Sequence, residues 1–532
     1  MENLAVIDDP EANPSNPEAE GRFGLGLMGL SFILLTLVVR ARHEHQRELQ
    51  QAGTTALSPE FKAFQSGFLR IYLLALLTEW LQGSFIFMLL HAYAHGPTQI
   101  AVIFTAGAMM QLVVALLLEL CAGALSAKTL CVACLSLQSA SCALLLHPAF
   151  GGMECRCALL LHPVLEAGNK QLHDCQNLCA QQVMLAGAAT AIMQTAFEAY
   201  MAEQHASQGF PGDWLAHTLH ALTASMSALA AAAGVVGEAA LSLGDITGPF
   251  KLGAALSAGA AAAVALRWRR GGGGAKGCAA LRDAGRAAKR AWQAARDAPP
   301  AAATAALHGC FEGAVYVFAM RWTPLLARDE DVSAPSRHPP WGLAFSQLMV
   351  CVMIGSFAYR AVSSAPGAPS PATLLTAICA VAALAFQCSS SPCYLLAATC
   401  AVAALALVGM AFTPPGAPTS ILPALAFELC VGAYLSAAGA LRAAHVPSDA
   451  RGALLAAARA LVVAPAFAAA VACAAAGLDA ALLLLCAWLC TTAAACAAVL
   501  AHGGAAAAAA AGDGGGVVLR GGGGGGEDEE DA

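Results

Sequence analysis

Charge is what this chain has least of. Only 11% of its 532 residues are Asp, Glu, Lys or Arg, against roughly 25% in an ordinary soluble domain, while 58% are apolar and the mean hydropathy is +0.64. So little charge cannot cover a water-soluble surface, and the composition reads as a polytopic membrane protein. At about 20 apolar residues per spanning helix, there is room for a dozen spans. Marks of enzyme chemistry are also wanting. No cluster has metal-ligand spacing and no nucleophile stands beside a base, so no metal, cofactor or enzymatic reaction is expected. The glycine run at 521–526 leads into EDEEDA rather than a lysine and a helix, and reads as a flexible tail instead of a phosphate loop. A disulfide framework is missing too, because most of the 20 cysteines lie in apolar segments, where a thiol behaves as a small hydrophobe. Cys155, Cys157, Cys175 and Cys179 share one long loop and would be oxidised only if that loop faces outward. The opening MENLAVIDDPEANPSNPEAEGR lacks the basic start of a secretory signal, so the apolar run from Phe23 to Val39 reads as a retained helix.

What is present is a long series of apolar runs. After the leading helix they fall at about 70–93, 98–120, 129–147, 183–202, 215–242 and 248–268, then at 301–326, 341–362, 393–412, 420–441, 453–476 and 479–501. This predicts an acidic N-terminus (1–22), an extra helix (23–41), a six-helix bundle (60–268), a basic linker (269–300), a second six-helix bundle (301–501) and a Gly-rich acidic tail (502–532). The linker carries Arg267, Arg269, Arg270, Lys276, Arg282, Arg286, Lys289, Arg290 and Arg296 against Asp283 and Asp297. Between two spans such a segment is an orientation signal rather than a nucleic-acid patch, since positive loops stay in the cytoplasm. The near copies TLLTAICAVAALAFQ (373–387) and YLLAATCAVAALALV (394–408) stand where parity allows only one span.

A Phe-Glu pair recurs at Phe197-Glu198, Phe311-Glu312 and Phe427-Glu428, with a related acid at Glu79 in LTEWLQG. The acids are 119, 114 and 116 residues apart, which spans three helices and their loops. The chain therefore reads as four three-helix units with a carboxylate in the first helix of each, an internal repetition typical of secondary transporters. Each buried carboxylate costs about 2.5–3.5 kcal/mol to insert, so four in equivalent places call for a reason. The structural alternative is that they tie helices together or snorkel at helix ends. Gln82 and Gln194 lie three and four residues from Glu79 and Glu198, on the same helix faces. Thr323 returns to within about 20° of the face of Glu312, while Arg321 falls near the opposite face and is expected to snorkel at the outer boundary.

Several blocks resemble the molybdate-anion transporter family of the major facilitator superfamily. They are FLRIYLLALLTEWLQGSFIFMLLHAYAHGPTQIAVIF, FEAYMAEQHASQGFPGDWLAHTL, FEGAVYVFAMRWTPLL, AFSQLMVCVMIGSFAYRAVSS and FELCVGAYLSAAGALRAAHVP, in order over about residues 60–500. The resemblance implies an all-α membrane protein with a major facilitator fold of two six-helix bundles, here with one extra N-terminal helix. It implies uptake of molybdate by alternating access, and matches Glu79, Gln82, Glu198, Glu312, Glu428 and Arg459 to positions of the family pattern. Arg459 is the candidate cation for the anion, with Gln82 and Gln194 as neutral donors. One or more of the carboxylates are expected to take up protons with it, their pKa raised by desolvation. The expected setting is the cell membrane, as a multi-pass monomer whose partners are molybdate or a similar oxyanion, protons and the lipid bilayer, with no nucleic acid.

Two motifs depart from the superfamily pattern. The gate loop of type Asp-x-x-Gly-Arg-Lys is represented by CAGALSAKTL, which has Gly123, Ser126 and Ala127 where Asp, Gly and Arg would stand and keeps Lys128 as the gating residue. The Gly-Arg pair early in the fourth helix is replaced by Gln182-Val183. A carrier of a sulfate-like anion or a sugar, and a non-transporting receptor or scaffold on the same fold, stay open as alternatives.

Overall fold

The computed structural model of the chain describes residues 17–51, 58–93, 95–120, 125–146, 166–243, 246–269, 277–326, 340–363, 392–414, 420–447 and 450–513. These form helices only. A leading helix, α1 (Pro17–Gln51), precedes α2 (Pro59–Ala92), α3 (Pro97–Leu120), α4 (Ala127–Leu144), α5 (Glu166–Ser207), α6 (Gly212–Leu243) and α7 (Gly248–Arg267). A connecting helix, α8 (Gly277–Asp297), leads to α9 (Pro299–Leu326), α10 (Trp341–Ser363), α11 (Pro392–Phe412), α12 (Ile421–His445), α13 (Arg451–Ala476) and α14 (Asp479–Asp513).

Their ends follow local chemistry. Proline opens α2, α3, α9 and α11, where its missing N–H costs nothing and its fixed φ suits the first turn. Ser58 caps α2 by accepting from Phe61 N–H at 3.2 Å, and Ser126 caps α4 by accepting from Thr129 N–H at 3.2 Å. Gly477 stops α13 with φ of 66°, a left-handed turn that glycine takes without a Cβ clash.

Twelve described helices are long and apolar enough to cross a membrane. The twelve include α1, over Gly21–His43, and leave out α5, whose polar ends dilute it. Yet α5 packs against both α3 and α4 and buries Ala189, Ala196, Phe197 and Tyr200 there, so it is an integral helix of the bundle. Helices α2 to α7 pack on one another, as do α9 to α14; the two sets meet chiefly where α6 lies on α10 and α3 on α13. The sequence-level fold class holds. The extra helix α1 lies outside the two sets, against α10 and α6, and Gln347 Nε2 donates to the Phe23 carbonyl at 2.6 Å.

Several expected boundaries shift. Helix α1 already begins at Pro17, within the expected acidic tail, and α14 runs on to Asp513, because poly-alanine is a strong helix former. Residues 166–181, expected as loop, are the first turns of α5; Cys179 there is a buried free thiol. The basic linker folds as α8. Of the tandem copies, 394–408 lies in α11, while 373–387 falls outside the described residues, as do Cys155 and Cys157.

Candidate functional site

The four repeated acids occupy α2, α5, α9 and α12, the first helix of each three-helix unit. Their surroundings differ. On α9, Glu312 is gripped by Arg459 of α13: Arg459 Nη2 donates to Glu312 Oε1 at 3.1 Å, and Arg459 Nε makes a short bond to Oε2. Glu312 is 16% and Arg459 22% exposed. One turn before Glu312, the buried His308 places Nδ1 3.7 Å from Glu312 Oε1 and in short contact with the Tyr434 hydroxyl of α12. One turn after it, the Tyr316 hydroxyl accepts from Gln111 Nε2 of α3 at 2.8 Å and lies within hydrogen-bonding reach of Gln194 on α5. Tyr316, one turn from the charged pair, thereby ties α9 to a polar side chain of the first helix set.

Across the interface, Glu79 on α2 accepts from Thr190 Oγ1 of α5 at 2.7 Å, with no cation beside it among the described residues. Gln82 turns elsewhere. It is buried against α4 and α5, where Ser141 Oγ donates to its Oε1 at 3.0 Å and Gln182 Nε2 to the same oxygen at 3.4 Å. Gln182, one half of the pair that stands for Gly-Arg, is thus built into the interior of the first helix set. Glu198 is exposed and lies in the field of Arg442 on α12. Glu428 is 7% exposed, near Cys351 of α10, with no hydrogen-bond partner among the described residues. Thr323 is buried three turns beyond Glu312, about 16 Å along the helix axis.

The sequence reading therefore assembles a site only in part: Glu312 with Arg459, and Gln194 beside their neighbour Tyr316. Arg321 does lie away from Glu312, but the expected snorkelling needs correction. It is 7% exposed and pairs with Asp479 at the start of α14, because burial leaves the guanidinium no route to water except through a carboxylate. Lys128 does not bridge the two sets; its Nζ donates to the Ala265 and Trp268 carbonyls at 2.9 and 2.6 Å, capping the C-terminus of α7.

The contacts that do join the sets at their two ends involve acids that the repeat pattern missed. At one end the carboxylate of Glu119, closing α3, lies against Gly452 in the first turn of α13, where any Cβ would collide with it, and it feels the positive charge of Arg459. At the other end Glu238 of α6 accepts from the Gly342 N–H, in the first turn of α10, at 2.7 Å. Beside it Gly234 and Gly342 touch backbone to backbone, and Ser346 Oγ accepts from Gly234 N–H at 2.8 Å. Carboxylates at helix N-termini meet unpaired N–H groups and the positive end of the dipole. Both acids sit in apolar spans, so the insertion cost that flags Glu312 would have flagged them. His308 was legible too, four residues from Glu312 on the same helix face.

A guanidinium fork that holds a carboxylate in two-point fashion has the geometry to hold another planar or tetrahedral oxyanion. Among the described residues no group of three or more His, Cys, Asp or Glu is placed to hold a metal.

Comparison with known proteins agrees with this architecture. A family model described as sugar transporters with twelve transmembrane segments matches residues 30–153 and 168–410. The molybdate-anion transporter of Danio rerio is 27% identical over 459 residues, covering 81% of this chain and 83% of that protein. That of Takifugu rubripes is 25% identical over 450 residues, covering 80% and 82%. The crystal structure of nucleoside transporter NupG matches with a TM-score of 0.51 at 12% identity, covering 82% of this chain and 98% of that one, a likeness of fold alone.

Proposed function

The chain belongs to this family of twelve-span transporters in the major facilitator superfamily, and on that premise we propose that it carries molybdate, a tetrahedral oxyanion, into the cell by alternating access across the plasma membrane. The observation that carries the proposal is Arg459, a cation of the second helix set held in two-point fashion by the carboxylate of Glu312. A dianion can replace that carboxylate on the same guanidinium fork. The curated relatives bear the name of this substrate, which chooses molybdate from among oxyanions.

Moving two negative charges inward costs about 4.6 kcal/mol per 100 mV of inside-negative potential, so uptake needs coupling or trapping. Protonation of Glu312 supplies a coupling step: a neutral carboxyl loosens its hold on Arg459, and the freed guanidinium takes the anion. Return of the proton to the other side restores the pair and expels the cargo. Glu119 against α13 and Glu238 on α10 then act as opposite gates.

The test is uptake of labelled molybdate by cells expressing the full chain, with tungstate and sulfate as competitors, beside Arg459→Ala. Saturable uptake that tungstate suppresses and the variant lacks is the expected result. Uptake no better than in mock-transfected cells would remove molybdate. A second reading, a neutral sugar, draws on the description of the matched family and on the hydrogen-bonding set of Glu79, Thr190, Gln194 and Tyr316. Flux of labelled hexose that survives Arg459→Ala would favour it.

A further inference from the structure

Apart from the central pair, the described residues line an open cleft of about 560 Å³ where α2 begins and α5 and α7 end. The positive-inside rule puts this end in the cytoplasm, because the same end leads into the basic linker. Three arginines line the cavity: Arg70 from α2, Arg267 closing α7, and Arg269 just beyond it. None has a carboxylate partner among the described residues. Arg70 uses its Nε on the Ser66 carbonyl at 3.0 Å, which leaves its terminal nitrogens to face the cavity. The one acid in the lining is Glu60, in the first turn of α2, where the helix dipole already favours a negative charge. Gln204 of α5 also lines the cleft, and its amide is a neutral donor within it.

The remainder of the lining has a different character. Phe68, Ile71 and Leu74 carry the wall along α2 into its membrane-spanning part. Trp268 closes one side of the cleft, stacked on the buried Tyr200 with ring centroids 4.1 Å apart. The cleft is therefore cationic where the helices end and apolar deeper along α2, where Phe68, Ile71 and Leu74 belong to the core of the first helix set. A soluble anion would use the first property and gain nothing from the second, whereas a lipid uses both.

We propose that this cleft binds an anionic membrane phospholipid, its phosphate among Arg70, Arg267 and Arg269 with Gln204 as a further donor, and an acyl chain along α2. The site is distinct from the central pair, since Arg459 and Glu312 take no part in it. The lipid would tie α2, α5 and α7 together at the end where the first helix set must pivot.

The full-length protein in detergent is titrated with a fluorescent phosphatidylglycerol, with the matching phosphatidylcholine, and with inorganic phosphate as competitor. Wild type should bind phosphatidylglycerol saturably and more tightly than phosphatidylcholine. Replacing Arg70, Arg267 and Arg269 together by Gln should weaken phosphatidylglycerol binding on the order of a hundredfold, and Arg267→Gln alone about fivefold. The single variant changes one exposed side chain, so it carries the comparison if the triple variant does not fold. Equal affinity for the two lipids, or unchanged affinity in the variants, would overturn the proposal. Displacement of the labelled lipid by millimolar phosphate would overturn the lipid assignment and make the cleft a site for a soluble anion.

Discussion

The two helix sets solve the same problem in opposite ways. In the second set, Glu312 keeps its charge company with a two-point arginine, a histidine and a nearby tyrosine. In the first, Glu79 has a single threonine hydroxyl, and the buried polar neighbours are the neutral trio Gln82, Ser141 and Gln182. The repeat places both acids at equivalent positions, so the difference lies in the partners. A paired charge stores a large electrostatic interaction that opens only when something replaces one member. A neutral network holds shape and asks little of the cargo. On the proposed function, the substrate-sensitive chemistry would lie on α9 and α13, and the scaffold on α2, α4 and α5.

The largest effect should follow removal of Arg459. Arg459→Ala leaves Glu312 buried beside a neutral pocket, and such orphaned charges cost about 3–5 kcal/mol; the 22% exposure of Arg459 puts this case toward the lower end. Thermal melting in detergent should therefore fall, and uptake should vanish. Adding Glu312→Gln to Arg459→Ala removes the orphaned charge, so the double variant should melt near wild type yet still not transport. Recovery of transport in the double variant would break the comparison, because the pair would then be structural.

Glu312→Gln alone comes next. The amide keeps the shape and one acceptor but cannot hold Arg459 with a charge, so anion binding should survive or tighten while uptake driven by an acid exterior collapses. The measurement is molybdate flux into vesicles with and without a pH gradient, beside binding in detergent. Unchanged pH-driven flux would return Glu312 to a purely structural role.

In the first set the expected loss is of stability. Gln82→Leu withdraws the oxygen that serves both Ser141 and Gln182; Ser141 keeps the Gln182 carbonyl and Gln182 keeps Ser141 Oγ, so one amide N–H loses its acceptor, at about 1 kcal/mol. Melting temperature should drop, while the affinity for molybdate of the folded fraction stays within about twofold. A loss of affinity without a loss of stability would move Gln82 into the binding site.

How much of this was legible in the sequence depends on distance along the chain. The spans, the positive linker and the Phe-Glu period are local or periodic signals, and they lead to thirteen helices with the acids on α2, α5, α9 and α12, whereas α8 stands where only a basic linker was expected. Glu312 and Arg459 were both singled out, but their pairing joins residues 147 apart, and no local pattern encodes that. Gln82 shares a helix face with Glu79 in the sequence pattern, yet the packing of α4 and α5 draws it into the interior of the first set. Glu119 and Glu238 escape the sequence pattern for a different reason: they stand outside both the loop motif, which is eroded at residues 121–130, and the Phe-Glu repeat.

The smallest expected effect is also the sharpest test of the asymmetry. Glu79→Gln keeps an oxygen to accept from Thr190 and introduces no orphan, since no cation is paired with Glu79. A neutral amide also avoids the cost of burying a charge, so stability should stay within about 0.5 kcal/mol of wild type or rise slightly. If proton uptake resides in the second set, pH-driven flux in Glu79→Gln should match wild type and differ plainly from Glu312→Gln. The reverse pattern, with Glu79→Gln abolishing the pH response and Glu312→Gln leaving it intact, would place the proton in the first set and the anion in the second. Arg459 would still hold the cargo, but coupling would then pass between the sets through Gln194 and Tyr316. Flux measured at two external pH values for both variants separates these arrangements.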